Sequence, residues 1–283
     1  MPYATAPDGT KLFYERFPPR GASKLLPVVL IAGWATNGRL WASAAERGTA
    51  AGYDVVTMDS RGTGRSALPR KPSSVATLAR DVVAVLDHAG IRRAHVAAPS
   101  LGGMVAQELA LRYPARVGAV VLAATTGGLP RLDLYRAPGL ARLMAGVVQR
   151  ARPTSDRDSA VRQTLRLAVS DQFGRNATPV DPAWQIVEQM LADRASARGN
   201  LYGLLAAAAH STWSRLRNLR APVQVQHGSA DRIISPRAAH ALVAAIPGAE
   251  LQILPGAGHA LILARPDDTM GLALAFLDRH PAG

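Results

Sequence analysis

Ser100 is the residue of this 283-residue chain whose type and setting best suit catalysis. It lies in the middle of segment 98–102, Ala-Pro-Ser-Leu-Gly, between an apolar run that predicts a buried strand and a stretch of helical periodicity. A serine on such a sharp strand-to-helix turn holds its hydroxyl above the sheet edge, where it can attack a carbonyl carbon. We therefore predict that Ser100 is a nucleophile; the alternative is that it only caps the following helix, as serine often does.

An acid and a base that could activate this serine follow two later predicted strands. Asp231 lies at the carboxyl end of the strand over residues 223–226, and His259 follows the strand over residues 251–254 in the same manner. In such an arrangement the histidine takes the proton from the serine and later returns one to the leaving group, while the aspartate fixes the imidazole tautomer. The sequence predicts a catalytic triad of Ser100, Asp231 and His259.

Few other residues compete for these two roles. No acid directly follows the predicted strand that ends at Ala124, the other position open to the acid of a triad. No other histidine fits the role of the base as well as His259. We predict that the remaining histidines are surface residues or core residues with satisfied hydrogen bonds: His88, His95, His210, His227, His240 and His280.

Two backbone N–H groups are candidates for stabilising the negative charge that develops on the carbonyl oxygen. Trp34 follows the predicted strand over residues 27–33, which would lie beside the nucleophile strand, and Leu101 directly follows Ser100. We predict that the N–H groups of Trp34 and Leu101 form the oxyanion hole. The Trp34 indole either lines the acyl pocket or belongs to the core.

The elements that must position these residues alternate along the chain. Apolar runs typical of strands buried on both faces lie at residues 27–33, 53–59, 94–98 and 119–124, and two further strands are predicted over residues 223–226 and 251–254. Helices are predicted over residues 75–88, with Ser74 as the N-cap and Gly90 just past the end, and over residues 236–245 and 266–278. Alternating strands and helices predict an α/β fold with a mostly parallel, doubly wound sheet. Residues 11–17 follow an Asp-Gly turn signal and are predicted to be an edge strand of a hairpin.

One long interruption separates the two halves of this pattern. Residues 128–212 contain no apolar run typical of a strand and are rich in helix-compatible residues. We predict a helical lid over residues 128–212, inserted into an α/β core that comprises residues 1–127 and 213–283. The alternative is a second helical layer whose aromatic residues belong to an ordinary core.

Composition limits the class of protein. Hydrophobic residues make up 48% of the chain and charged residues 19%, which excludes a disordered chain. No apolar run is long enough to cross a bilayer and no secretion signal is evident at the N-terminus, so we expect a soluble, cytoplasmic protein without membrane association. The absence of cysteine excludes disulfides, thiolate nucleophiles and cysteine-based zinc sites.

The net charge of +13 raises the question of a nucleic acid partner. The basic residues are mostly single arginines scattered among apolar residues, without an aromatic-interleaved basic motif. We therefore expect a solvated basic surface and no nucleic acid; the alternative partner is an acidic carrier protein or a coenzyme A thioester. Residues 59–66 are rich in glycine, as loops that bind phosphate groups are. They lack the Gly-Lys-Ser/Thr ending of a phosphate-binding loop and the spacing of a dinucleotide-binding motif, so we do not predict a nucleotide site here.

Taken together, these ordered motifs resemble the α/β-hydrolase family over nearly the full length of the chain. Residues 59–66 are similar to the family's Asp-x-Arg-Gly-x-Gly-x-Ser loop, and the order serine, aspartate, histidine is the family's own. Residues 100–104 and 123–128 resemble the group with 3-oxoadipate enol-lactonases, and residues 213–262 resemble intracellular polyhydroxyalkanoate depolymerases. The departures are Ala98 and Pro99 before the serine, and Ala32 where many relatives have histidine.

The resemblance implies hydrolysis of a carboxylic ester, a lactone or a short polyester through an acyl-enzyme, without a metal or an organic cofactor. Two alternatives stay open. One is a thioesterase, acyltransferase or cyclase that acts on a carrier-bound or coenzyme A-bound acyl chain. The other is a non-hydrolytic protein that retains the fold, since fold does not imply function.

Overall fold

One eight-stranded sheet runs through the computed structural model, which describes residues 2–21, 26–135, 141, 157–169, 171–193 and 196–281. The strands are β1 Tyr3–Thr5, β2 Lys11–Phe17, β3 Val28–Ile31, β4 Val55–Met58, β5 Ala94–Pro99, β6 Val117–Ala123, β7 Val223–Gly228 and β8 Glu250–Leu254. Their order across the sheet is β1-β2-β4-β3-β5-β6-β7-β8. Strands β3 to β8 are parallel, and β1 and β2 run antiparallel to their neighbours. The predicted α/β fold with a mostly parallel sheet is confirmed.

Helices cover both faces of this sheet. The described helices are α1 Ala42–Ala50, α2 Val75–His88, α3 Ser100–Arg112, α4 Arg157–Ala168, α5 Asp171–Asn176, α6 Pro182–Ala192, α7 Ala197–Ala208, α8 Arg237–Ala245, α9 Leu261–Ala264 and α10 Pro266–Asp278. Helices α2, α3 and α8 contribute to one apolar cluster, and α1 and α10 contribute to another. No helix in the described part of the chain combines the length and apolar character that a bilayer span requires.

The central strands consist of continuous apolar runs because both of their faces are covered. Along β3, Val29 and Ile31 pack in the cluster with α2 and α3, whereas Val28 and Leu30 pack in the cluster with α1 and α10. All four residues of this strand are buried. Successive side chains of a strand point to opposite faces, so a run without polar residues is expected where neither face meets water.

Local signals in the sequence predicted several elements correctly. Helix α2 has the predicted bounds, and the Ser74 side chain accepts a hydrogen bond from the Thr77 N–H at 3.1 Å, as an N-cap does. Gly90, just past the helix, adopts a φ of 70°, in the left-handed region that favours glycine. Helix α10 also has the predicted bounds.

The prediction that residues 11–17 form an edge strand is wrong in one respect. These residues form β2 and belong to a hairpin, but β2 lies between β1 and β4 in the sheet. The outermost strand is β1, Tyr3–Thr5, which pairs with β2 in antiparallel register. A strand of three residues is too short to show an alternating pattern, so nothing in the sequence distinguished it from a loop.

Residues 128–212, called here the insertion, connect β6 to β7 and contain α4, α5, α6 and α7. Its two ends are joined at the core, because Gly128 and Ser211 form an isolated β-bridge. The Thr212 hydroxyl donates to Gln107 Oε1 of α3 at 2.5 Å, and the Thr212 N–H donates to Gly127 O at 2.8 Å. The assignment of residues 128–212 as a lid stays a prediction, and residues 136–140, 142–156, 170 and 194–195 lie outside the described residues.

The loop over residues 59–66, which follows β4, is held by ionic and hydrogen bonds to the core. Asp59 accepts hydrogen bonds from the N–H groups of Gly38 and Arg65, at 2.7 and 2.8 Å. Arg61 donates to both carboxylate oxygens of Asp81 on α2, at 2.6 and 2.5 Å, and to Asp8 at 2.7 Å. Only 4% of the Arg61 side chain and 2% of the Asp81 side chain are exposed, so this ion pair is buried.

We predict that Arg61→Leu lowers the free energy of unfolding by about 3 kcal/mol, because it leaves the Asp81 carboxyl buried without its counter-ion. Chemical denaturation with urea measures this change. The control is Arg265→Leu, which removes an ion pair with Asp268 in which 48% of each side chain is exposed, and should cost less than about 1 kcal/mol. Equal losses in the two variants would contradict the interpretation.

Candidate active site

Ser100 occupies the sharp turn that the sequence predicted. Strand β5 ends at Pro99 and helix α3 begins at Ser100, whose φ of 51° lies in the left-handed region. A non-glycine residue in this region is strained, and such strain persists where the surroundings impose it. A Cβ at Gly102 would lie 2.7 Å from the carbonyl oxygens of Ile31 and Ala32, so the first turn of α3 packs too closely on β3 for any larger residue.

The two departures from the family motif, Ala98 and Pro99, are compatible with this turn. Ala98 is 1% exposed and pairs with Leu122 of β6, so its small side chain lies in the core. Pro99 is the last residue of β5, where the missing N–H removes no bond from the interior of the strand.

Thr125 supports the turn from the neighbouring strand and was not singled out as a site residue in the sequence analysis. It lies two residues after the end of β6, is fully buried, and its hydroxyl donates to the Ser100 carbonyl oxygen at 2.6 Å. A Cβ at Gly103 would lie 2.7 Å from the Thr125 side chain. One feature of the sequence could have indicated this role of Thr125: it lies within residues 123–128, which are part of the resemblance to the family.

Asp231 and His259 are brought together at the carboxyl ends of β7 and β8. The Nδ1 atom of His259 lies 2.8 Å from Asp231 Oδ2, a hydrogen bond in which the ring nitrogen donates to the carboxylate. The other carboxylate oxygen, Oδ1, accepts hydrogen bonds from the N–H groups of Ile233 and Ile234, at 2.8 and 3.0 Å. Nδ1 of His259 therefore carries a proton, which leaves its Nε2 available as a base.

His227 also contacts Asp231, which the sequence did not predict. Its Nε2 atom lies 3.2 Å from Asp231 Oδ2 and 3.1 Å from the Ile234 carbonyl oxygen. Burial alone would raise the pKa of the Asp231 carboxyl, but the electrostatic interaction with His259 and the hydrogen bonds from both histidines hold this pKa below its ordinary value. Asp231 is therefore an anion at neutral pH although it is 1% exposed.

The third contact of the predicted triad is not made in this structure. Ser100 and His259 both lie in the described part of the chain, and no hydrogen bond joins them. Ser100 follows β5 and His259 follows β8, and both strands end at the same edge of the parallel sheet.

Ser100 opens onto an apolar cavity of about 240 Å³. The core contributes Met104 of α3 together with Ile233 and Ile234 from the Asp231 loop. The insertion contributes further apolar residues, which are Leu129, Leu204, Ala207 and Ala208. Tyr135 also lines the cavity, and burial raises the pKa of its hydroxyl to about 12. Such a lining suits an uncharged apolar group.

Trp34 and Leu101 both line the cavity beside Ser100. Gly33 precedes Trp34 at the end of β3, and a Cβ at Gly33 would lie 3.5 Å from the Ser100 Cβ, so this backbone runs close to the turn. The Trp34 indole Nε1 donates to the Asn200 carbonyl oxygen of α7 at 2.8 Å. Both alternatives for this side chain hold in part, because Trp34 lines the cavity and also packs against the apolar cluster that contains α2 and α3.

The other histidines differ from the prediction in one respect. His95, His210 and His227 are buried as core residues, but each leaves one ring nitrogen without a hydrogen-bond partner in the structure. His88 accepts or donates a hydrogen bond with the Tyr14 hydroxyl at 2.9 Å, and His240 is exposed. Among the described residues there is no group of three or more side chains that could hold a metal ion.

Comparison with known proteins identifies the family to which the chain belongs. Residues 27–266 match the model of a family described as the alpha/beta hydrolase fold. The chain belongs to the α/β hydrolase fold family. The predicted family, fold and general hydrolase class are thereby confirmed.

Individual relatives of this family align along most of the chain. A non-heme haloperoxidase from Rhodococcus erythropolis is 28% identical over 98% of this chain and 100% of its own. A pimeloyl-[acyl-carrier protein] methyl ester esterase from Nitrosospira multiformis is 29% identical over 85% of this chain and 90% of its own. The crystal structure of the enol-lactonase from Burkholderia xenovorans superposes with a TM-score of 0.79 and 24% identity, covering 98% of this chain and 100% of that chain.

The buried imidazole of His210 makes the free energy of unfolding depend on pH. It is 5% exposed, beside Glu108, and burial lowers the pKa of its imidazole to about 4. In the unfolded chain a histidine has a pKa of about 6.5, so below that pH the unfolded state binds a proton that the folded state does not. The free energy of unfolding therefore falls as the pH is lowered from 6.5 to 4.

We predict that His210→Gln reduces this pH dependence, because the variant no longer takes up that proton on unfolding. The difference between wild type and variant should approach about 1 kcal/mol per pH unit within this window. Urea denaturation at several pH values measures it. The control, His240→Gln at the exposed histidine of α8, should retain the wild-type slope; an unchanged slope in His210→Gln would refute the assignment.

Proposed function

We propose that this protein is a serine hydrolase that cleaves a carboxylic ester or lactone through an acyl-enzyme, with Ser100 as nucleophile, His259 as base and Asp231 as the acid of a triad. The observation that carries the proposal is the Asp231–His259 hydrogen bond of 2.8 Å at the sheet edge where Ser100 stands on a strained turn beside an apolar cavity. The family alone does not select this reaction, since its members include proteins named haloperoxidase and esterase.

In the proposed mechanism, Ser100 Oγ attacks the carbonyl carbon of the substrate while His259 Nε2 takes the hydroxyl proton. The carbonyl oxygen becomes an anion that accepts hydrogen bonds from the N–H groups of Trp34 and Leu101. As the tetrahedral intermediate collapses, the bond to the leaving alcohol breaks and His259 returns the proton to the alcohol oxygen. Water then attacks the acyl carbon while His259 Nε2 takes its proton. When the bond between the acyl carbon and Ser100 Oγ breaks, His259 returns this proton to Oγ and the acid is released.

Asp231 supports this cycle electrostatically. Its low pKa keeps it ionised, and the ion stabilises the imidazolium that forms each time His259 accepts a proton. The hydrogen bond to Nδ1 also fixes the tautomer in which Nε2 is unprotonated.

The apolar cavity supports a substrate with an uncharged acyl group. The carboxylate at the end of a dicarboxylic half-ester would have to leave water for this cavity, at a large cost in free energy. Apart from Ser100 itself and Tyr135, the described lining consists of apolar residues. We propose that helix α7 covers this cavity as part of a lid, so that Leu204, Ala207 and Ala208 determine the length of chain that fits.

We predict that Ser100→Ala lowers kcat for p-nitrophenyl esters by roughly 10⁴-fold or more, because it removes the nucleophile and leaves the folded protein intact. Wild type should also be labelled by one equivalent of a fluorophosphonate, measured by intact mass, and the variant should not. The control is Ser43→Ala on α1, which is not part of the cavity lining and should retain full activity.

The same assay distinguishes the two alternative functions. A thioesterase acting on an acidic carrier would hydrolyse matched thioesters much faster than esters, and its rate would fall as salt screens the docking of the carrier. A wild-type protein that turns over no ester or thioester and resists the fluorophosphonate would refute the hydrolytic mechanism and favour a non-hydrolytic role.

We predict that kcat/KM of wild type rises roughly fourfold for each methylene added to a straight acyl chain until the cavity is full. An ester with a terminal carboxylate should react at least about 100-fold more slowly than an uncharged ester of equal length.

Leu204→Ala should shift the optimal acyl-chain length toward longer chains because it enlarges the cavity. Leu205→Ala is the matched control, since this neighbouring leucine of α7 is 44% exposed and is not part of the cavity lining. Equal shifts in both variants would contradict the assignment of the cavity.

A further inference from the structure

We propose that His227 is a positioning residue of the active site, which acts on the reaction through Asp231 and without touching the substrate. This inference rests on the proposed function, because it deepens the account of the same triad. His227 is the fifth residue of β7, is fully buried, and comes four residues before Asp231 in the chain. Nothing in the sequence pattern distinguished it from an ordinary core histidine.

The geometry places the His227 ring between two acceptors. Its Nε2 atom lies 3.1 Å from the Ile234 carbonyl oxygen and 3.2 Å from Asp231 Oδ2. A carbonyl and a carboxylate can only accept hydrogen bonds, so Nε2 must carry the proton that the two oxygens share. The other ring nitrogen, Nδ1, is buried without a hydrogen-bond partner, which favours a ring with no proton on Nδ1.

His227 completes the set of donors around the Asp231 carboxylate. Oδ1 accepts hydrogen bonds from the N–H groups of Ile233 and Ile234. Oδ2 accepts them from His259 Nδ1 and His227 Nε2. The imidazole of the proposed base and the imidazole of His227 therefore share one oxygen atom. Without His227, His259 would be the only remaining donor to Oδ2, and the carboxylate would be held less firmly in line with that imidazole.

The same nitrogen connects the triad acid to the wall of the cavity. The Ile234 carbonyl oxygen accepts a hydrogen bond from His227 Nε2, and the Ile234 N–H donates one to Asp231. The same residue lines the cavity beside Ser100. It also forms a β-bridge with Tyr135, which lines the same cavity. The hydrogen bond from His227 to Ile234 therefore joins the two ends of the segment 227–234, and the Asp231 carboxylate lies between them.

Three substitutions separate the donated hydrogen bond from the space that the ring fills. The amide nitrogen of glutamine reaches the position of Nε2, whereas that of asparagine corresponds to Nδ1 and falls short. We expect kcat/KM for an ester to fall roughly 10- to 100-fold in His227→Leu and His227→Asn, the loss associated with one hydrogen bond to a charged group. His227→Gln should retain activity within about threefold of wild type. Loss of activity in all three variants to the same degree would overturn the proposal.

A double-mutant cycle with Asp231 distinguishes a positioning role of His227 from a purely structural one, because only a positioning role makes the effects of the two substitutions on the rate depend on each other. If His227 acts through the carboxylate, His227→Leu should have less than about a threefold effect on the rate when Asp231→Asn is already present. If His227 only supports the fold, the two losses multiply. The rate at which a fluorophosphonate labels Ser100 extends the measurement to variants whose turnover is too slow to follow.

His95 offers a matched control. It is also a fully buried histidine of a parallel strand, its Nδ1 accepts a hydrogen bond from the Ala119 N–H at 3.0 Å, and its Nε2 has no partner. His95→Leu should lower the free energy of unfolding and leave kcat of the folded protein unchanged. Failure of the proposed function is distinguishable, because wild type itself would then be inactive and unlabelled. An active wild type whose kcat/KM survives His227→Leu would refute the inference alone.

Discussion

The carboxylate of Asp231 must remain ionised in a place that water hardly reaches, and the surrounding structure satisfies this constraint. Only 1% of the residue is exposed, and a buried carboxylate without partners is strongly unfavourable. Two backbone N–H groups and two imidazole nitrogens supply the hydrogen bonds that replace water. Because the backbone donors belong to Ile233 and Ile234, the turn that stabilises the charge also directs the chain along the cavity.

Close backbone packing at the ends of the strands holds the three proposed catalytic residues on one edge of the sheet. The first turn of α3 rests on the carbonyl groups at the end of β3, where a Cβ at Gly102 would lie 2.7 Å from two of them. At the end of β7 a Cβ at Gly228 would collide with the carbonyl group of Ala257, two residues before His259. The loops that carry Asp231 and His259 are therefore pressed together, which makes their hydrogen bond a consequence of backbone packing.

The sequence predicted those parts of the fold whose signals are local. Helix α2 has a serine N-cap, an apolar face and a glycine past its end, and its bounds were predicted without error. The predicted pairing of Asp231 with His259 followed from the positions of two strand ends. By contrast, β1 is three residues long and is a strand only because β2 lies beside it.

The contacts of His227 and Thr125 could not be predicted for a related reason. His227 meets Asp231 across a loop that is neither helix nor strand, so the spacing of four residues has no geometric meaning until the path of the loop is known. Thr125 meets the carbonyl group of Ser100 from the segment that follows β6, 25 residues away in the chain. Side-chain contacts of this kind depend on tertiary structure, whereas the type of residue at each position shows only which bonds are available.

The division of the cavity between the core and the insertion has a further consequence for specificity. Asp231 and His259 follow core strands, whereas Leu204, Ala207 and Ala208 line the cavity from α7. Trp34 connects the two parts, because its backbone adjoins the turn at Ser100 while its indole donates to α7. The N–H of Trp34 is a proposed oxyanion donor, so the position of α7 bears on the stabilisation of the transition state as well as on the length of chain that fits. The proposed function therefore implies that the selection of the acyl group and the rate of its transfer are coupled through Trp34.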